Sequence, residues 1–338
     1  MLAGMNEPIR LRQVWKSFGG RPGASTAELL DSPEARVAVQ DVSLEVRAGE
    51  IFVVMGLSGS GKSTLLRMIN GLIAPSLGVV EIEGRSLQQF SRGELRALRR
   101  RSMAMVFQSF ALFPQRSALE NAAFGLEMAG VPTHQRLAKA QQALERVGLG
   151  GDLHRKPDQL SGGMRQRVGL ARALALDPPV LLMDEAFSAL DPLIRADMQD
   201  LLLDLQREHR RTIVFISHDL DEAVRIGDRI ALMKDGRLLQ CDTAETLFRV
   251  PAEPAVAEFF RGVDPAGVLT IGAIAEPPLP TDKWVPTDHD LTVLTSEMLL
   301  KEAMPIVTAA NGPVAVVGSD HHLIGSVSPS TILRALSR

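Results

Sequence analysis

The stretch GLSGSGKST, residues 56–64, sets Gly56, Gly59 and Gly61 around Ser58 and Ser60 and closes on Lys62, Ser63 and Thr64. It satisfies G-x-x-x-x-G-K-[ST], with the apolar run IFVVM before it and the helix-forming STLLRMIN after it. Glycines let backbone N–H groups approach phosphate oxygens closely, and a helix N-terminus adds the positive end of a dipole. Lys62 would reach terminal phosphates, the Ser63 hydroxyl would ligate Mg²⁺, and Thr64 would touch the inner phosphates. The chemistry read here is the gripping of a polyphosphate.

Two further stretches extend that chemistry. In VLLMDEAFSALDP, residues 180–192, an apolar strand ends in Asp184, which can hold Mg²⁺ through water. Glu185 follows at once and can orient and deprotonate an attacking water. In QLSGGMRQRVGLARAL, residues 159–174, Ser161, Gly162 and Gly163 open a helix. A hydroxyl, exposed amides and a helix N-terminus make a second anion site. One nucleotide cannot fill two phosphate cradles in one chain, so the second is expected to serve a neighbour's nucleotide.

The elements that must position these residues are those of an α/β fold. Through about the first 260 residues, strand-like runs alternate with helical patterns. IFVVM, VLLM and TIVFIS are continuous rather than alternating, as in strands covered on both faces. RIALMKDGRLLQ reads as a hairpin turning at Asp235-Gly236. SRGELRALRRR and THQRLAKAQQALERVGL read as amphipathic helices opened by Ser91 and Thr133 as N-caps, within a helical insertion of about 87–165. Residues 19–35 read as a loop with one short helix. After Gly262 a cluster of prolines suggests a boundary: an α/β domain over 1–262, a linker over 263–282 and a small α+β module over 283–338.

Composition bounds the partners. With 338 residues, 45% of them hydrophobic, the chain can bury a core in more than one domain. A net charge of −3 and 4% aromatics, with no tyrosine, give no support to a nucleic-acid partner. One cysteine, Cys241, excludes an internal disulfide framework and suits a reducing cytosol. The N-terminus lacks a signal-peptide run, and no apolar stretch is long enough for a transmembrane helix, so any membrane role must come through a partner.

Taken in order, these motifs resemble those of ABC-transporter ATPase subunits over nearly all of the first 260 residues. Walker A lies at 56–64, a Q-loop at Gln108 in VFQSF and the signature LSGGM at 160–164. Walker B lies at 180–185, the D-loop SALD at 188–191 ending in Asp191, and a switch histidine, His218, in ISHDL. The resemblance implies that His218 touches the γ-phosphate and that Gln108 links Mg²⁺ and the lytic water to a transport subunit. It also implies an aromatic stacked on adenine, Phe18 or else Trp15. A cassette of this kind pairs head to tail as a homodimer and docks on separate permease chains. The apolar segment 109–131 is read as the groove for a permease helix, as internal packing, or as both.

The wording narrows the resemblance to importers of quaternary amines (glycine betaine, proline betaine or choline), in which Met164 is usual. Such importers include a permease and a substrate-binding protein, and the ATPase lies peripherally at the cytoplasmic face of the membrane. The tail resembles a single CBS module, expected to associate between subunits and answer ionic strength or a small molecule. Its alternative role is a stabilising handle for the dimer. GVLTIGAIA is read as a module remnant or a linker strand. Rival readings are another importer or an exporter ATPase, a soluble ABC ATPase of DNA repair or translation, and a nucleotide sensor with vestigial hydrolysis.

Overall fold

Continuous apolar runs become the buried middle of a six-stranded sheet. The computed structural model describes residues 8–19, 25–31, 35–109, 111–277, 293–310 and 312–337. The chain opens with strand β1 (Ile9–Phe18), helix α1 (Thr26–Asp31) and strand β2 (Arg36–Val46), which pairs antiparallel with β1. Strand β3 (Ile51–Met55), every residue buried, runs into helix α2 (Lys62–Ile69). Strands β4 (Leu77–Ile82) and β5 (Arg85–Ser86) complete an antiparallel sheet of order β2-β1-β4-β5. Ile9, Leu11, Val42, Val80 and Ile82 of that sheet share one hydrophobic core with Phe52, Val54 and Leu65.

Helix α3 (Arg92–Ser102) begins at Ser91, whose hydroxyl accepts from the Glu94 amide while the Glu94 carboxylate answers the Ser91 amide. Strand β6 (Met103–Phe107) follows, then helices α4 (Ala118–Met128), α5 (Thr133–Arg146) and α6 (Gly162–Leu174). The 87–165 range drawn from the sequence therefore contains β6, a strand of the large sheet, and the helices of the insertion pack beyond it. Thr133 is the first helical residue of α5 and Pro132 precedes it as cap, correcting the expected threonine cap. A Pro at that position fixes the extended entry without supplying a side-chain acceptor.

The rest of the first unit is strand β7 (Val180–Asp184), helix α7 (Pro192–His209), strand β8 (Thr212–Ser217), helix α8 (Leu220–Ile226) and strands β9 (Arg229–Lys234) and β10 (Arg237–Asp242). The sheet order is β10-β9-β3-β8-β7-β6, parallel except for the β9–β10 hairpin. In register, Met55 lies beside Ser217, and Asp184 beside Phe107 and Ile216. The carboxyl ends of β3, β6, β7 and β8 thus form one edge, where ligands bind in open α/β sheets.

The second unit is Ala244–Arg338, so the compact division falls after Thr243 rather than after Gly262. The reason is local packing. Phe248, from helix α9 (Ala244–Arg249), packs on the core of Leu269, Ile271, Leu300, Val316 and Ile332, and Phe260, the cap of helix α10 (Pro254–Phe259), meets Phe248 edge to ring. GVLTIGAIA is neither free linker nor strand. It contains helix α11 (Ile271–Ile274), flanked by isolated bridges at Thr270 and Glu276. Strand β11 (Val293–Thr295), helix α12 (Leu300–Ala309), strands β12 (Val314–Val317) and β13 (Leu323–Val327) and helix α13 (Pro329–Leu336) follow, with β11 parallel to β12 in a sheet of order β11-β12-β13. The expected start of a module at Lys283 and most of the proline cluster lie outside the described residues, as do residues 20–24 and 32–34 of the early loop.

Candidate functional site

The strand–loop–helix step from β3 to α2 is the centre of the site. Gly61 caps α2 with φ 94° and no side-chain partner, so the first helical amides remain open. A Cβ at Gly61 would collide with the Ala38 carbonyl oxygen, so β2 holds the loop against a backbone that only glycine fits. At Gly59, φ is 82° but a Cβ would meet nothing within 4 Å. Phe18, Ser58, Gly59, Gly61, Lys62, Ser63, Thr64 and Glu185 line one cleft of about 390 Å³, with Gly56 and the buried Ser60 in the same loop.

Lys62 is buried, and its Nζ donates to the carbonyl oxygens of Gly56 (2.7 Å) and Leu57 (3.0 Å). Burial pushes its amine below the ordinary lysine range, against the pull of the Glu185 and Asp184 carboxylates. The Ser63 hydroxyl donates to Asp184 Oδ1 at 2.8 Å. Gln108 Nε2 donates to Glu185 Oε2 (3.3 Å) and Ser188 Oγ (3.2 Å), and His218 Nδ1 lies 3.5 Å from the same carboxylate oxygen. Glu185 itself has φ 46°, a conformation that costs a non-glycine residue energy and that clusters at functional sites.

The structure separates the remaining site residues from this cluster. Ser161 caps α6, its hydroxyl accepting from the Met164 amide, and Gly163 packs so closely on α7 that a Cβ would lie 2.5 Å from Ile194 Cγ2. Asp191 caps α7 through the Ile194 amide. None of Ser161, Gly162, Gly163 and Asp191 lines the cleft of the same chain. Phe18 is exposed and lines that cleft, whereas Trp15 is 8% exposed and buried in the antiparallel sheet. Sequence reasoning missed Arg36, Val37 and Ala38 as cleft wall, and Ser188 as a partner of Gln108. The Phe18–Arg36 and Ser17–Val37 pairing of β1 with β2 places that wall, and no local motif marks it.

The donor set fits a hard divalent cation. Ser63 and Asp184 offer oxygen, as Mg²⁺ prefers, and Mg²⁺ commonly takes one or two carboxylates and completes its shell with phosphates and water. Among the described residues no group of three or more His, Cys, Asp or Glu side chains could hold a metal alone. Substrate phosphates would have to supply the rest.

Residues 39–188 match the family model of the ABC transporter, and relatives at far above 30% identity extend the match over most of the chain. The chain belongs to the ABC transporter family. It is an ABC ATPase, binding and hydrolysing ATP. The ABC protein is 52% identical over 276 residues to the glycine betaine/proline betaine transport system ATP-binding protein ProV of Escherichia coli K12, covering 79% of this chain and 69% of ProV. It is 42% identical over 341 residues to the trimethylamine N-oxide transport system ATP-binding protein TmoW of Pelagibacter ubique, covering 98% of both. Among solved structures, the ATP-binding cassette MJ0796, a dimer in a post-hydrolysis state bound to ADP and Pi, superposes with a TM-score of 0.61 at 34% identity, over 70% of this chain and 98% of that one. Among the described residues, no helix of the ABC protein is long and apolar enough to cross a membrane.

Proposed function

We propose that this ABC ATPase energises the import of fully substituted, methylated amine osmolytes, working as a head-to-tail pair docked on separate permease chains at the cytoplasmic face of the membrane. The observation that carries the paired site is the split within one chain. Lys62, Ser63, Asp184, Glu185, Gln108 and His218 gather at one cleft, whereas Ser161, Gly162, Gly163 and Asp191 stand outside it. A second copy would bring its Ser161-Gly162-Gly163 amides and Asp191 to this cleft, and closure would exclude water there. The dimeric relative MJ0796 supports this reading.

In the paired site, Phe18 stacks on adenine and the 56–64 amides cradle the phosphates. Lys62 exchanges its two loop carbonyls for the terminal phosphates. Mg²⁺, held by Ser63 and Asp184 with the Gln108 amide oxygen, would neutralise phosphate charge. Glu185 orients the lytic water and takes its proton, while His218 stays against the γ-phosphate. Gln108, bonded to Glu185, immediately precedes the 109–131 segment, which receives a permease helix, so hydrolysis and permease position are read at one side chain.

Identity to ProV supports glycine betaine or proline betaine as cargo, with choline in the same class. A second reading, trimethylamine N-oxide, is favoured by the end-to-end match to TmoW, which includes the C-terminal unit. A substrate-binding protein and the permease would make the choice. Reconstitution with its permease and binding protein in liposomes decides: ATP-dependent uptake of labelled glycine betaine, proline betaine, choline or trimethylamine N-oxide supports the proposal, and uptake of none of them removes it. We assign the 244–338 unit a regulatory role of CBS type, answering ionic strength or a small ligand. Unchanged dependence of transport on osmolarity and nucleotide after its deletion would remove that role.

A further inference from the structure

His218 stands in a frame of hydrogen bonds that hydrolysis itself leaves unused. Its own imidazole is half exposed and, among the acidic groups of the described residues, pairs with Glu185. Both chain neighbours are fixed instead. On one side the Ser217 hydroxyl donates to Glu222 Oε2 (2.5 Å) and accepts from the Asp219 amide (3.0 Å). On the other, Asp219 Oδ1 accepts from the Glu222 amide (3.1 Å), capping α8. The remaining oxygen of Asp219 accepts from Arg195 Nη1 at 2.9 Å.

Arg195 lies in the first turn of α7, and its second amino group, Nη2, donates to the Leu190 carbonyl at 3.2 Å. One planar guanidinium therefore grips two loops: the one ending in Asp191 and the one carrying His218. An exposed ion pair would contribute little, but Arg195 and Asp219 are 27% and 32% exposed, and the fork geometry fixes both acceptors at once. Lysine has the charge without the fork.

We propose that Arg195 is a positioning residue that ties the Leu190–Asp191 segment to the His218 loop and so sets where His218 stands relative to Glu185. The inference rests on the reading of Glu185 and His218 as the hydrolytic pair. Because that reading gives Asp191 to the face of a second subunit, the same guanidinium passes the arrival of that subunit to His218. Arg195 does not line the cleft of Lys62 and Glu185.

The test measures kcat and KM for ATP, nucleotide affinity and melting temperature in the full chain. The variants are Arg195→Ala, Arg195→Lys, Asp219→Asn, their combination Arg195→Ala/Asp219→Asn, and Arg207→Ala as control. Arg207 lies on the same helix, exposed and paired to Asp204. Asn at 219 keeps the helix cap but loses the charge that Arg195 holds. Arg195→Ala should lower kcat about tenfold or more with KM within about twofold, and Arg195→Lys should recover part of that loss. The double variant should cost no more than the worse single one, because both break one link. Arg207→Ala should match wild type. Should Arg195→Ala fail to fold, Arg195→Lys and Asp219→Asn carry the comparison. Wild-type kcat in folded Arg195→Ala or Asp219→Asn overturns the proposal, as does a loss confined to KM. His218→Ala separates the two levels: if it leaves kcat intact, the hydrolytic reading fails, whatever Arg195 does.

Discussion

Gly61→Ala and Gly59→Ala form a matched pair that tests how β2 shapes the phosphate loop. Both residues have positive φ, 94° and 82°, so alanine at either costs about 1–2 kcal/mol in backbone conformation. Only at Gly61 does the new methyl also meet the Ala38 carbonyl, with Val39 Cγ2 3.3 Å away. Backbone cannot step aside as a side chain can, and overpacking of this kind adds about 1–3 kcal/mol. Gly61→Ala should therefore destabilise the first unit by about 2–5 kcal/mol and Gly59→Ala by about 1–2. In a unit of this size each kcal/mol moves the midpoint by about 2–4 °C, so the variants should melt about 4–20 °C and about 2–8 °C below wild type. Calorimetry with and without ADP reads both effects. Gly61→Ala should also lose most of the ADP-induced rise, since displacement of the loop moves the amides that hold phosphate. Equal melting shifts for the two variants would refute the claim that Ala38 shapes the loop.

Two aromatic truncations should part company: Trp15→Ala should cost about 3–5 kcal/mol of stability as a core cavity, read by denaturant titration. Phe18→Ala should leave stability nearly unchanged and weaken nucleotide binding about three- to tenfold, read by fluorescent-nucleotide titration. Glu222 offers a pH test, because burial raises its carboxyl above 4.5 against the lowering effect of the Ser217 and Gln199 hydrogen bonds. A raised folded-state value means that its stabilising contribution is complete below 4.5 and is lost as pH rises through that raised value. The melting temperature of Glu222→Gln relative to wild type should therefore climb as pH increases, and a flat difference from pH 4 to 8 would show that no such proton is held.

Much of the frame was legible because its signals are local. The continuous runs at β3, β7 and β8 have the look of strands covered on both faces, and the Asp235-Gly236 turn joins β9 to β10. Walker A, Asp184 and Glu185 are contiguous motifs, and the parallel register carries Gln108 and His218 to the same edge. Helix α4 was hidden inside the apolar segment 109–131, although Ser117 and Glu120 form a capping box that marks its start. The Arg36–Ala38 wall was illegible, since it depends on pairing across a segment with no motif. The boundary after Thr243 was illegible for a similar reason. Proline content suggests a break near Gly262, but the packing of Phe248 and Phe260 decides it. Arg195 gave no sign in the sequence, because its two acceptors become neighbours only in three dimensions.

The claim at the centre of this account is that one chain owns half of each hydrolytic chamber. Specific ATPase activity measured across a dilution series, with the association state followed by light scattering, tests it most directly. Activity per chain should fall in step with the dimer fraction and vanish in the monomer. Undiminished turnover per chain in a strictly monomeric sample would contradict it.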